Sequence, residues 1–245
     1  MAWIKTLIHI HTDYSYDSNI TLETLARFAD RNGFACLAVT DHDTIEGALR
    51  LQSMTQTRVI VGEEVTTLDG HLIGLFLQER IRPGMPARDT ADAIREQGGL
   101  VLAPHPFVKA FGCGLGDTAW EIADRIDAVE VFNAQNPWAG ADAQADEFAD
   151  RLALPKFVGT DTHYAGSIAP AYQVMPDFSD PTGFLASLRS ARRTVKRHPL
   201  SYFASAAYRT ARYLLGLSSP PTFGARYQPA YTSGPDTSAV ALPQN

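Results

Sequence analysis

The sequence predicts an α/β fold in which a largely parallel sheet closes into a barrel, on three observations. Short apolar, β-branched runs alternate with segments of helical spacing, the signature of strand–helix units that bury a parallel sheet. About seven such strands fall within a chain of 245 residues, a length that suits one barrel as well as an open doubly wound sheet. Nearly every strand ends in a histidine or carboxylate. Barrels gather chemistry around the rim at the strand carboxyl ends, whereas open sheets gather it at one switch point, so the dispersed polar ends favour a ring.

Taken in order, residues 6–11 (TLIHIH) form the first strand. Leu22, Leu25, Ala26 and Ala29 then recur at helical spacing, and Gly33 supplies the stop. Residues 35–40 (ACLAVT) are a continuous apolar strand, followed by a helix over 44–55. Strands over 58–65 and 71–77 form a hairpin around Asp69-Gly70. A helix over 87–97 ends at Gly98-Gly99, and a strand over 100–103 follows. A helix over 117–125, a strand over 128–132, a helix over 139–151 and a strand over 156–159 complete the series. Residues 1–180 therefore constitute the barrel domain. Residues 181–217 form a basic helical extension, with a terminal helix over 181–193 and an aromatic amphipathic segment over 201–217. The Pro/Ser/Gly-rich remainder, 218–245, reads as a flexible tail.

Composition narrows the function. A hydrophobic content of 45% with 20% charged residues supports a sizeable core. Two cysteines, Cys36 and Cys113, make no disulfide framework or CxxC pair. No apolar run reaches the roughly 18 residues of a membrane span, and the N-terminus lacks a signal-like apolar region, so a soluble cytoplasmic protein is expected. Residues 1–180 carry 13 basic and 26 acidic side chains, whereas 181–245 carry 8 basic and one acidic. The acidic body disfavours stable duplex nucleic-acid binding, which needs clustered Lys and Arg. The basic extension could meet an anionic partner.

The polar residues accumulate in a telling pattern. His9 and His11 sit at i and i+2, on one face of the first strand. Asp17 follows in the next loop, Asp41 and His42 end the second strand, and Glu63 and Glu64 lie in the third. His71 opens the fourth strand, His105 follows the fifth, and Asp161 and His163 close the seventh. Of seven histidines, only His198 stands apart. Imidazole and carboxylate donors without thiolate suit Zn²⁺, Mn²⁺ or Fe²⁺.

The ordered motifs H9-I-H-T-D-Y-S-Y-D-S18, T40-D-H-D-T44, G62-E-E-V65, H71-L-I-G-L-F-L77, P104-H-P-F107 and G159-T-D-T-H163 resemble the PHP (polymerase and histidinol phosphatase) family, especially its small stand-alone metal-dependent phosphoesterases. The resemblance covers about residues 6–175. It implies a distorted (β/α)7, TIM-like barrel with two or three metal ions at the C-terminal rim. Carried over by position, it places His9, His11, Glu64 and Asp161 around one metal, with Glu64 bridging to a second held by His71 and His105. Asp17, His42 and His163 would hold a third. The Gly-x-Glu pattern selects Glu64, and strand alternation turns Glu63 away.

Neighbouring metals about 3.5–4 Å apart can share a water, lower its pKa towards 7 and orient the hydroxide for in-line attack on phosphorus. His42 or His163 would assist the leaving oxygen. No Ser/His/Asp triad, P-loop or GxGxxG loop competes with this reading. Lys109 and Asn133 are candidate substrate contacts, and Tyr14, Tyr16, Trp138 and Tyr164 sit on rim loops where a base could stack. Cys36 belongs to the core and Cys113 is a bystander. The expected activity is hydrolysis of a small phosphorylated substrate, a nucleotide or nucleoside bisphosphate first. A histidinol-phosphate-type phosphatase and an oligonucleotide-end exonuclease are enzyme alternatives. A non-catalytic PHP-like domain, using metal for stability and its tail for a partner, is the rival from another class.

Overall fold

The computed structural model describes residues 2–109 and 112–204. In chain order its elements are β1 (Trp3–Ile10), α1 (Leu22–Asn32), β2 (Cys36–Val39), α2 (Glu46–Gln52), β3 (Arg58–Thr67), β4 (Gly70–Leu75), α3 (Ala87–Glu96) and β5 (Leu100–Ala103). They continue with α4 (Thr118–Glu121), a 3₁₀ turn at Ala123–Arg125, β6 (Ala128–Asn133), α5 (Ala139–Arg151), β7 (Lys156–Gly159), β8 (Tyr172–Pro176), α6 (Pro181–Ser190) and β9 (Arg192–Thr194).

Among the described residues the strands form one sheet of nine, ordered β7-β6-β5-β4-β3-β2-β1-β8-β9. Pairs β1–β2, β2–β3, β5–β6 and β6–β7 are parallel. The β3–β4 hairpin pairs Thr67 with Gly70, so its turn residues are Leu68-Asp69, one position before the expected Asp69-Gly70, and β4 also runs antiparallel to β5. The ring is drawn together beyond β7, where Thr160 and Asp161 donate backbone N–H groups to Ile8 and His9 carbonyls, and His11 donates to the Thr162 carbonyl. The result is a nearly closed, barrel-shaped sheet.

Local chemistry explains the element ends. Thr21 caps α1 by accepting the Thr24 N–H, and Gly33 closes it with φ 67°, a left-handed conformation that costs glycine little. Asp180 caps α6 by accepting the Gly183 N–H, with Pro181 in the first turn. Outward strand residues pack on α1, α3 and α5 through Leu22, Leu25, Ala29, Ile94 and Phe148. A second cluster joins Ile8, Cys36, Ala38, Leu100, Ala128 and Phe157 to Phe184 and Leu188 of α6. Many of these strand residues lie in amino-terminal halves, so α6 fills that end of the barrel and leaves the carboxyl end for polar groups.

Two further features depart from the sequence-based expectation. The sheet has nine strands rather than about seven, because β8 and β9 add an antiparallel flank to β1. The helix expected over 181–193 stops at Ser190, and Arg192–Thr194 instead pairs with β8. Of the expected segment 201–217, only 201–204 are described, as helix. The tail 218–245 lies outside the described residues. Among the described residues no helix is long and apolar enough to cross a membrane.

Candidate metal centre

All nine sequence-selected donors converge at the carboxyl end of the barrel. His9 lies at a bulge, where the β1–β2 register shifts between Ile8 and Ile10. Ile8 consequently packs in the inner cluster while Ile10 packs outside, and the bulge re-aims the imidazole. His9 Nε2 and His11 Nε2 each come within 3.2 Å of Glu64 Oε2. They lie 3.5 and 3.4 Å from Asp161 Oδ1.

The other oxygen of Glu64 faces His71 Nδ1 at 3.0 Å and His105 Nε2 at 2.9 Å. One carboxylate therefore stands between two groups of imidazoles. Asp17 Oδ2 faces His42 Nε2 at 3.4 Å and His163 Nε2 at 3.2 Å. Ligating atoms within 4.8 Å of one another form four overlapping groups: His9, His11 and Asp161; His9, Glu64 and His105; His42, Glu64 and His71; and His11, Asp17, His42 and His163. His9, His105 and Asp161 adopt positive φ of 66°, 27° and 45°. Such backbone strain is held by surrounding structure and concentrates at functional sites.

The electrostatics follow from packing imidazoles against carboxylates. Burial opposes charge on His9, yet Asp161, Glu130 and Glu64 outweigh it and raise its pKa well above the usual value. Burial also opposes charge on His42, but Asp17 and Glu64 bring it up to about 9. Burial disfavours charge on Glu64, Asp161 and Asp17 too, yet the neighbouring histidines hold all three well below the usual carboxylate range. His11 goes the other way: burial, His163 and His42 all lower it. The centre is thus built for positive charge between its acids.

Asp17, His42, Glu64, His71, His105, Asp161 and His163 line a cavity of about 620 Å³ together with Asn133, Gln135, Trp138, Tyr164 and Tyr202, and His9 and His11 are fully buried beside them. Asn133 donates Nδ2–H to Asp161 Oδ2 and Glu130 Oε2, both at 2.9 Å. Tyr16 stacks on His42 with ring centroids 4.9 Å apart. Lys109 is not brought into this cavity; it is exposed and borders a separate depression beside Asp117, Trp120 and Arg151. Tyr14 is buried in the core rather than set on the rim. Cys36 is core as expected, its thiol pushed up to about 12 by burial, whereas Cys113 lines the cavity.

Sequence reasoning missed several supporting residues. Asp41 points away from the donor groups and accepts from Thr12 N, Thr12 Oγ1 and Ser15 Oγ at 2.6–2.7 Å, folding the 12–15 loop. Glu63 turns away, as alternation requires, and accepts the Ile81 N–H at 2.8 Å. Glu130 is buried against His9; its signal was a lone acid in the apolar run AVEVFN. Tyr202 Oη accepts the His163 N–H at 3.1 Å and donates to Gln135 Oε1 at 2.8 Å. It stacks at 3.9 Å on His198, which bonds Thr160 O and Ser167 Oγ. Residues past the barrel strands therefore brace the wall of the cavity.

The model for the PHP domain matches residues 8–102, and a PHP-associated model matches 140–193. An uncharacterized protein of Methanocaldococcus jannaschii, MJ1587, is 36% identical over 168 residues, which cover 63% of this chain and 92% of the relative. Among solved structures, a two-domain protein from Bacteroides vulgatus containing a predicted PHP-like metal-dependent phosphoesterase superposes with TM-score 0.63 at 16% identity. That match covers 80% of this chain and 65% of the other, so this chain spans less than two thirds of the two-domain protein. PsfC from Pseudomonas syringae superposes with TM-score 0.60 at 17% identity, covering 89% of this chain and all of PsfC (100%). At such identities the superpositions speak for the fold, and the family models with the 36% identical relative speak for descent. The chain belongs to the PHP domain family.

Proposed function

We propose that this protein is a metal-dependent hydrolase of phosphoric esters. The observation that carries the reading is the set of four overlapping donor groups, linked by the shared residues His9, His11, His42 and Glu64, at one cavity. The residues fit divalent ions on their own chemistry. His11 Nε2, His42 Nδ1, His163 Nε2 and Asp17 Oδ1 are buried without a well-formed hydrogen bond. Buried polar atoms without partners are costly unless something else engages them. Nitrogen and carboxylate donors in these numbers suit Zn²⁺, Mn²⁺ or Fe²⁺.

In this assignment His9, His11, Glu64 and Asp161 hold one ion. Glu64 is shared with His71 and His105 around a second, and Asp17, His42 and His163 serve a third. Bound there, the ions would supply hydroxide near neutral pH and neutralise charge on phosphoryl oxygens. Asn133 fixes the Asp161 carboxylate through its 2.9 Å hydrogen bond. His42 and His163 line the cavity wall on the side assigned to the leaving oxygen, and whichever of them is not held as a ligand would deliver a proton there. The cavity has the size of a small-molecule site. Tyr16, Trp138 and Tyr164 line it with aromatic surface, which favours a nucleotide among small phosphorylated substrates.

The test is a panel of nucleoside monophosphates, nucleoside bisphosphates and p-nitrophenyl phosphate, run with Mn²⁺ and with Zn²⁺. Wild type is expected to hydrolyse at least one of these esters, and His9→Ala and Asp161→Ala to fall to background. Folded, metal-loaded wild type inert towards every ester would refute the proposal and favour a metal-stabilised binding domain.

A further inference from the structure

Glu130 is a buried carboxylate in the middle of β6. Its Oε1 lies 2.8 Å from His9 Nδ1. Its Oε2 accepts the His105 backbone N–H at 2.7 Å and Asn133 Nδ2–H at 2.9 Å. The same Asn133 nitrogen reaches Asp161. This side chain therefore ties together two segments that carry proposed ligands, and a third through Asn133. Room for it is provided by Gly159: a Cβ there would stand 1.5 Å from Glu130 Oε1 and 3.2 Å from His9 Cβ. Any larger residue at 159 would occupy the place of the carboxylate.

We infer that Glu130 is a positioning residue that sets the tautomer of His9, and that Gly159 is bare of a side chain to admit it. The inference rests on the metal-centre reading above. Glu130 Oε2 already accepts two N–H donors, which leaves Oε1 as the acceptor for Nδ1–H of His9. The Nε2 lone pair is then left facing Glu64 Oε2 and Asp161 Oδ1, at 3.2 and 3.5 Å, where a shared cation belongs. Glutamine at position 130 would break this arrangement without changing its shape. Two fixed donors, His105 N–H and Asn133 Nδ2–H, converge on one oxygen, so the amide oxygen goes to them and the amide NH₂ faces His9. Nδ1 must then accept, and the proton moves to Nε2, into the ligand direction.

The experiment compares full-length wild type, Glu130→Gln and Gly159→Ala by Zn²⁺ titration against a competing chelator, with imidazole ¹⁵N shifts recorded for the Zn²⁺-loaded proteins. Wild type is expected to show His9 protonated at Nδ1. Glu130→Gln is expected to fold, to bind its weakest-held ion about 10- to 100-fold less tightly, and to carry the His9 proton on Nε2 where that ion is not held; Gly159→Ala should show the same affinity loss. Unchanged tautomer and affinity in Glu130→Gln would overturn the inference while leaving the metal-centre reading intact. Wild type that takes up no Zn²⁺ would instead overturn that reading. Should Glu130→Gln fail to fold, Gly159→Ala decides alone: a loss of Zn²⁺ affinity of about 10- to 100-fold supports the inference, and wild-type affinity contradicts it.

Discussion

Replacing Glu63 by glutamine should make the protein more stable, and increasingly so as the pH rises. Glu63 has no solvent exposure, and its Oε2 accepts a single backbone N–H from Ile81. Burial pushes its pKa from 4.5 up to about 8, against the pull of the Ile81 hydrogen bond and with a further push from Asp43. Arg80 stands 3.9 Å away and is itself part-exposed, so it pairs only weakly. Between pH 4.5 and 8 the folded state therefore keeps a proton that the unfolded chain releases. Stability falls with rising pH wherever the folded state binds more protons. At ~1.4 kcal/mol per pH unit the wild type forfeits about 5 kcal/mol across that window. Glutamine keeps the acceptor for Ile81 and has nothing to ionise. Thermal melts of both proteins from pH 5 to 8.5 isolate the effect, because every other titration cancels in the difference. The Glu63→Gln advantage should grow by roughly 4 kcal/mol, a relative shift of about 10 °C in Tm. A difference that stays flat, or that favours wild type at pH 8.5, would show that Glu63 is ionised and paired in the fold.

Three further outcomes follow from the same structure. Gly47→Ala adds a Cβ 2.3 Å from Asp41 Oδ2 and 2.8 Å from Thr12 Oγ1; urea unfolding should show a loss of about 1–3 kcal/mol from overpacking, despite the better helix former. Tyr202→Phe leaves the buried His163 N–H and Gln135 Oε1 without their shared partner and should cost about 1–3 kcal/mol, read in the same assay. Chelation should lower Tm, since each ion held at a hundredfold excess over its Kd contributes about 2.7 kcal/mol; a Tm indifferent to chelator and to added Zn²⁺ or Mn²⁺ would count against bound ions.

What was legible in the sequence was what periodicity and local turn chemistry encode. The β3–β4 hairpin turns within one position of where its turn residues put it, and α5 and strands β5 and β7 appear where the apolar pattern puts them. The convergence of the nine donors was legible because each follows or occupies a strand in a ring. Strand β8 was hidden because its inward position 173 is a glutamine, fully buried to serve Val158 N–H, which breaks the apolar alternation. Strand β9 (RRT) is exposed throughout and joins the sheet by pairing with β8. The helix expected over 117–125 divides after Glu121 into a 3₁₀ turn. Glu130, Asp41 and Tyr202 could not be assigned from spacing, because their partners lie 121, 29 and 39 positions away. Their roles depend on which loops the closed ring brings together.

The most direct measurement is anomalous diffraction from crystals of the Zn²⁺-loaded protein. Two or three peaks are expected in the cup, with Nε2 of His9 and His11 and oxygens of Glu64 and Asp161 about 2.0–2.2 Å from one of them. Ions bound elsewhere, with these side chains paired only to each other, would contradict it.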